Sequence, residues 1–175
     1  MEAALQTFDV ALHAVEIAIA IVGGIWVYKR FRHEGAAKPR IEFDVRCRFL
    51  GPIQDAYVAA FEVHAKNCGL VEHRFQEIRL KVLAIRSDAT LQMWQGHEPR
   101  LLFPEQLVRG VNLVPRELGY YFVRPGVDQS FSYVIPIPKD LRFLVARATF
   151  LYEATGDLHT AERVFEVRPD APVAA

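Results

Sequence analysis

The chain reads as a mainly β protein, an immunoglobulin-like antiparallel two-sheet sandwich of about seven strands preceded by one N-terminal transmembrane helix. Three observations predict this. An apolar run near the N-terminus is long enough for a bilayer. After residue 40, apolar and polar side chains alternate with a period of two in several separate stretches. No long helical pattern lies between those stretches, which excludes a parallel βαβ fold.

The helix, assigned to residues 1–28, rests on the run VALHAVEIAIAIVGGIWVY from Val10 to Tyr28. At about 1.5 Å per residue it covers roughly the 30 Å of a bilayer core. Trp26 and Tyr28 lie at one end, where aromatic rings favour the headgroup level, and Lys29, Arg30 and Arg32 follow at once. These five residues are the expected membrane-interface anchors. A cleaved signal peptide would carry positive charge before its apolar run and a small-residue cleavage site after it. An in-plane amphipathic helix would carry Lys and Arg on its polar face, and this one carries acids and a histidine there. A spanning anchor fits best. Since no Lys or Arg precedes the run, the N-terminus is expected outside and everything after Lys29 in the cytoplasm.

Asp9, His13 and Glu16 stand at i, i+4 and i+7, so they share a helix face that Ala20, Gly23 and Gly24 continue. Ionisable groups within a membrane usually face protein or water, and small residues let two backbones approach closely. This side is expected to pack against a second membrane helix, from another copy of the chain or from a partner membrane protein. Residues 29–40, KRFRHEGAAKPR, form a basic juxtamembrane linker whose Gly35 and Pro39 break the pattern, and whose cations suit anionic headgroups.

The β-sandwich domain is assigned to residues 41–168, with a loose tail at 169–175. Ile41, Phe43, Val45, Cys47 and Phe49 alternate with charged residues until Gly51-Pro52 ends the first strand. Tyr57 to Lys66 makes a second, closed by the turn signal Asn67-Cys68-Gly69, and Glu77 to Ala84 a third. Residues 87–118 contain three prolines and two glycines and read as a long connection with room for one short strand or helical turn. Tyr120 to Val123 is a further strand. Phe131 to Ile137 is another, placed at an edge by Pro136 and Pro138. Residues 142–152, RFLVARATFLY, are apolar on both faces, as a central strand would be, and Arg163 to Val167 makes the last.

The composition, 51% hydrophobic and 24% charged, supports a packed core rather than disorder. The formal net charge is zero, which argues against a nucleic-acid partner. Cys47 and Cys68 are too few for a disulfide framework and read as free thiols. His64, Cys68 and His73 flank one turn and have zinc-type donors, but their spacing matches no common zinc pattern. The arginines alternate with acids, as on a solvated mixed-charge face; Arg46 and Arg48 share theirs with Glu42 and Asp44. No phosphate loop, dinucleotide fingerprint or nucleophile elbow occurs. The expectation is therefore a membrane-anchored, non-enzymatic interaction or assembly module without a cofactor. Its partners would be the lipid bilayer and a membrane protein or a second copy. A membrane-tethered β-barrel binding lipid or a small ligand is the alternative, and an enzyme or metal protein with an unrecognised site is a third reading.

Overall fold

The computed structural model describes residues 2–33 and 40–167, with side chains described for 13–30 and 40–167. The chain is mainly β, with antiparallel sheets arranged as a sandwich after one N-terminal helix. Helix α1 runs Glu2–His33. It therefore continues past Tyr28 into the expected linker, whose residues 34–39 lie outside the described residues, as does the expected tail at 169–175. Lys29 and Arg30 are good helix formers, and Arg30 returns one turn to place its guanidinium 5.2 Å from the Trp26 ring centroid.

Among the described residues, no helix is long and apolar enough to cross a membrane. Ionisable side chains stand toward both ends of the apolar stretch of α1. Residues 13–30 include His13 and Glu16 at one end and Lys29 and Arg30 at the other, whereas the apolar run in the sequence starts at Val10. The spanning anchor is thus not shown by α1.

Strands are numbered in chain order: β1 Ile41–Ile53, β2 Ala56–Asn67, β3 His73–Arg86, β4 Met93–Trp94, β5 Arg100–Leu101, β6 Glu105–Asn112, β7 Tyr121–Val123, β8 Asp128–Pro138, β9 Leu141–Tyr152 and β10 Leu158–Glu166. The first sheet has the order β1-β2-β8, and the second β10-β9-β3-β6 with β7 also paired to β3. β4 and β5 form a separate small hairpin. β8, with Pro136 and Pro138, is an edge strand, and β9 is internal, as the sequence implies.

The core lies between the sheets. The first contributes Val45, Ala59, Phe61, Val63, Ala65 and Ile137, and the second Phe75, Ile78, Leu80, Val82, Leu144, Ala146, Ala148 and Phe150. Phe43 of β1 stacks on Phe150 of β9 at 3.9 Å between ring centroids, and Phe75 meets both rings edge-on, at 5.7 and 5.8 Å. Near this stack the two sheets are joined by an ion pair, Arg163 of β10 to Asp44 of β1 at 2.7 Å.

Three departures from simple alternation explain where the strands differ from expectation. β1 does not end at Gly51-Pro52 but passes through them to Ile53, with its register to β2 shifting between Leu50 and Pro52. In β3 the register to β9 shifts between Phe75 and Glu77, so Phe75 and Ile78 can both point inward although they stand an odd three positions apart. In β6, which is longer than the one short strand or turn expected within the 87–118 connection, Gly110 has φ +109° and is skipped in the pairing with β3. Glycine is the residue that adopts this backbone without strain.

Candidate functional site

The outer faces of the two sheets differ in charge. On the first sheet the register sets Glu42 opposite Lys66, Asp44 opposite His64 and Arg46 opposite Glu62. Most cations and acids answer one another here, with Arg46 3.1 Å from Asp44 and Lys66 4.0 Å from Glu42, while Arg48 stands opposite Ala60. This matches the solvated mixed-charge face read from the sequence.

The second sheet is arranged otherwise. Arg109 of β6 stands opposite Lys81 of β3, and Lys81 opposite Arg147 of β9. Adjacent strands are about 4.8 Å apart, so three cations occupy one row within roughly 10 Å. Arg79, two residues along β3, projects to the same face opposite Thr149. The Gly110 bulge is what brings Arg109 here. Without the skipped residue, the ladder running on from the Leu80–Val111 pair would set Arg109 opposite inward-facing Val82. With it, Val108 takes the inward place and Arg109 turns out beside Lys81.

Two of these cations have acidic partners: Glu77 is 2.8 Å from Arg79, and Glu162 of β10 is 2.5 Å from Arg147. Among the described residues, Lys81 and Arg109 have no carboxylate within ion-pair distance. Like charges directly opposite each other destabilise a sheet, so the row is held against a local electrostatic cost. A concavity of about 310 Å³ opens over it, lined by Glu77, Arg79, Lys81, Arg109, Arg147 and Thr149, with Gly110, Leu151 and Leu158 completing the wall. Leu158 is 62% exposed. Sequence reasoning missed this site because Lys81, Arg109 and Arg147 are far apart in the chain and only the register aligns them.

The residues singled out on α1 fall as follows. In a continuous helix His13, Glu16, Ala20, Gly23 and Gly24 lie toward one side, and a methyl group added at Gly23 or Gly24 would meet nothing within 4 Å. The large apolar residues Val15, Ile17, Ile19, Ile21, Val22, Ile25, Trp26, Val27 and Tyr28 are each 51–67% exposed. Stepped at 100° per residue they cover most of the circumference. An apolar groove also runs along α1 between Val15, Ala18, Ile19, Val22, Gly23 and Trp26. The side chains of Asp9 and Arg32 lie outside the described residues.

His64, Cys68 and His73 do not converge; among the described residues no group of three His, Cys, Asp or Glu could hold a metal ion. His64 lies near Glu62 and Asp128, at 3.5 and 3.8 Å. His73 is held below its usual pKa by burial, and its ring stands edge-on to Tyr152. Both cysteines are free thiols. Burial pushes Cys47 up to about 12, so it is protonated and unreactive at neutral pH.

No protein-family model matches the chain, and no curated protein does. Among solved structures it is similar to the sporulation control protein Spo0M of Bacillus subtilis, with TM-score 0.43 and 10% identity over 71% of this chain and 48% of that one. It thus spans about half the length of Spo0M. It is also similar to the putative ApaA protein of Bordetella pertussis, with TM-score 0.45 and 16% identity over 73% and 94%. A third is a FixG-related protein from Vibrio parahaemolyticus, with TM-score 0.38 and 10% identity over 72% and 94%.

Proposed function

We propose that the chain is a membrane-anchored, non-enzymatic interaction module: α1 spans the bilayer and the sandwich, immunoglobulin-like in kind, offers its faces and edges to a partner in the cytoplasm. One observation carries the reading. The large apolar side chains of α1 are exposed over most of its circumference, and a helix apolar nearly all round is at home in lipid or in a protein interior, not in water. Burying each such side chain is worth about 1.5–3 kcal/mol. The sequence supports the same end-to-end order, with the apolar run from Val10, then Trp26 and Tyr28, then Lys29, Arg30 and Arg32. On this reading the small side of α1, around Ala20, Gly23 and Gly24, meets a second helix, with the polar His13 and Glu16 turned to the same partner.

Membranes carrying the full chain, washed at alkaline pH, test the anchor. Retention in the pellet supports it, and release with peripheral proteins ends it. Orientation is read on Cys68, which is exposed. A membrane-impermeant maleimide should leave it unlabelled in intact cells and label it after lysis; labelling in intact cells would reverse the topology. The ligand-holding barrel has less support, because the strands pair in separate sheets and aromatic rings fill the space between them.

A further inference from the structure

We propose that the concavity on the outer face of the second sheet is a binding site for a phosphate-bearing ligand, with the phosphate seated between the Lys81 ammonium and the guanidiniums of Arg109 and Arg147. The site stands independently of the membrane anchor and goes beyond it, since it concerns a different surface and assigns a ligand class. Three features lead there. The ladder aligns three cations in one row although cross-strand repulsion opposes this. Among the described residues, Lys81 and Arg109 have no carboxylate within ion-pair distance; Glu77, which shares the lining, is engaged by Arg79. A bulge at Gly110, in a backbone that favours glycine, is what turns Arg109 to this face.

The chemistry of the ligand follows from the row. A phosphate monoester carries up to two negative charges on three terminal oxygens, so it can accept from an ammonium and from planar guanidinium forks at once. A single carboxylate satisfies fewer of these donors. Thr149 adds a hydroxyl in the lining, and Leu151 and Leu158 offer an apolar wall to whatever the phosphate is attached to. An extended acidic peptide would need cations spaced along its length, whereas here they are gathered in one concavity.

The test is calorimetric titration of the purified full chain in detergent at low ionic strength. The probes are inorganic phosphate and dibutanoyl phosphatidic acid, a water-soluble headgroup carrier. Saturable binding is expected for at least one. The double variant Lys81→Gln/Arg109→Gln should weaken it by about tenfold or more, as the loss of two charge-assisted bonds implies. Its melting temperature should equal or exceed the parent's, because like-charge repulsion is relieved. A control, Arg48→Gln/Arg116→Gln, removes the same charge elsewhere and should keep binding. Equal affinity for the two probes assigns a free phosphate or soluble phosphoester; tighter lipid binding that falls with Leu158→Ala assigns a headgroup. A readout on the unsubstituted chain covers the case of a misfolded variant: phosphate should raise its melting temperature and acetate should not. The proposal is overturned if neither probe binds saturably, if the control loses binding equally, or if acetate or oligoglutamate protects as well as phosphate does.

Discussion

Asn67 shows how much one polar side chain can hold. It is fully buried; its Nδ2 donates to the carbonyls of Val71 and Val123 at 2.8 and 2.9 Å, and its Oδ1 accepts from the Gly69 N–H at 2.9 Å. Its own backbone bonds Val127 and Gly126. Asn67→Ala would strand buried partners, so it should cost about 3 kcal/mol in denaturant unfolding. Asn67-Cys68-Gly69 was legible as a turn, but the reach of Asn67 to β7 was not, because that contact is remote in sequence. The cysteines divide by environment: in the folded chain Cys68 should alkylate and Cys47 should react only on unfolding, as quantified by mass spectrometry. Equal rates would contradict the burial that raises the Cys47 pKa. Burial by itself would raise Asp44, yet Arg46, Arg163 and the Val45 N–H together hold it below the ordinary carboxylate range. A carboxylate depressed in the folded state stabilises above its unfolded pKa, and that gain disappears as pH falls through the folded value. Arg163→Gln should therefore cost up to about 1 kcal/mol at neutral pH, and its melting temperature should converge on the parent's in acid.

At the scale of the element, strand parity decides what the sequence discloses. β2 and β8 keep an unbroken period of two along the stretches that mark them; the edge place of β8 followed from its prolines, and the internal place of β9 from apolar residues on both faces. β1, β3 and β6 are bulged, and each was cut short where the phase slips. Glycines and prolines that signal turns in isolation were here absorbed within strands: Gly51 and Pro52 in β1, Gly110 in β6. Whether a glycine ends a strand or bulges it depends on the neighbouring strand, which local pattern does not contain. Gly110→Ala places a side chain at φ +109°. It should destabilise by about 1–3 kcal/mol, and it should weaken phosphate binding even though no charge is removed. Unchanged stability would mean that the bulge migrates freely. Arg86 ties three elements together, bonding Glu105 at the start of β6 and Asp140 in the β8–β9 turn, a junction that no sequence pattern announced.

For the whole molecule, the β-rich class and the two-layer architecture were readable because each layer needs one apolar face, and alternation records it residue by residue. Phe150→Ala, at the aromatic stack between the layers, should cost about 3–5 kcal/mol. The candidate site was not readable, because it is a product of sheet order and register. The membrane reading rests on α1. Glu16→Leu and Gly24→Leu should leave membrane retention intact and abolish crosslinked pairs of helices, and pairs that survive both changes would remove the helix-packing part of that reading. The contrast between the two outer faces has an electrical consequence. A chain of formal net charge zero would be expected to pass a charged resin, but Lys81 and Arg109, with no carboxylate within ion-pair distance among the described residues, add positive charge to the outer face of the second sheet. At neutral pH and low salt it should be retained by a cation exchanger, should elute earlier when Lys81 and Arg109 are replaced by Gln, and should be released at modest ionic strength as screening shortens to about 10 Å.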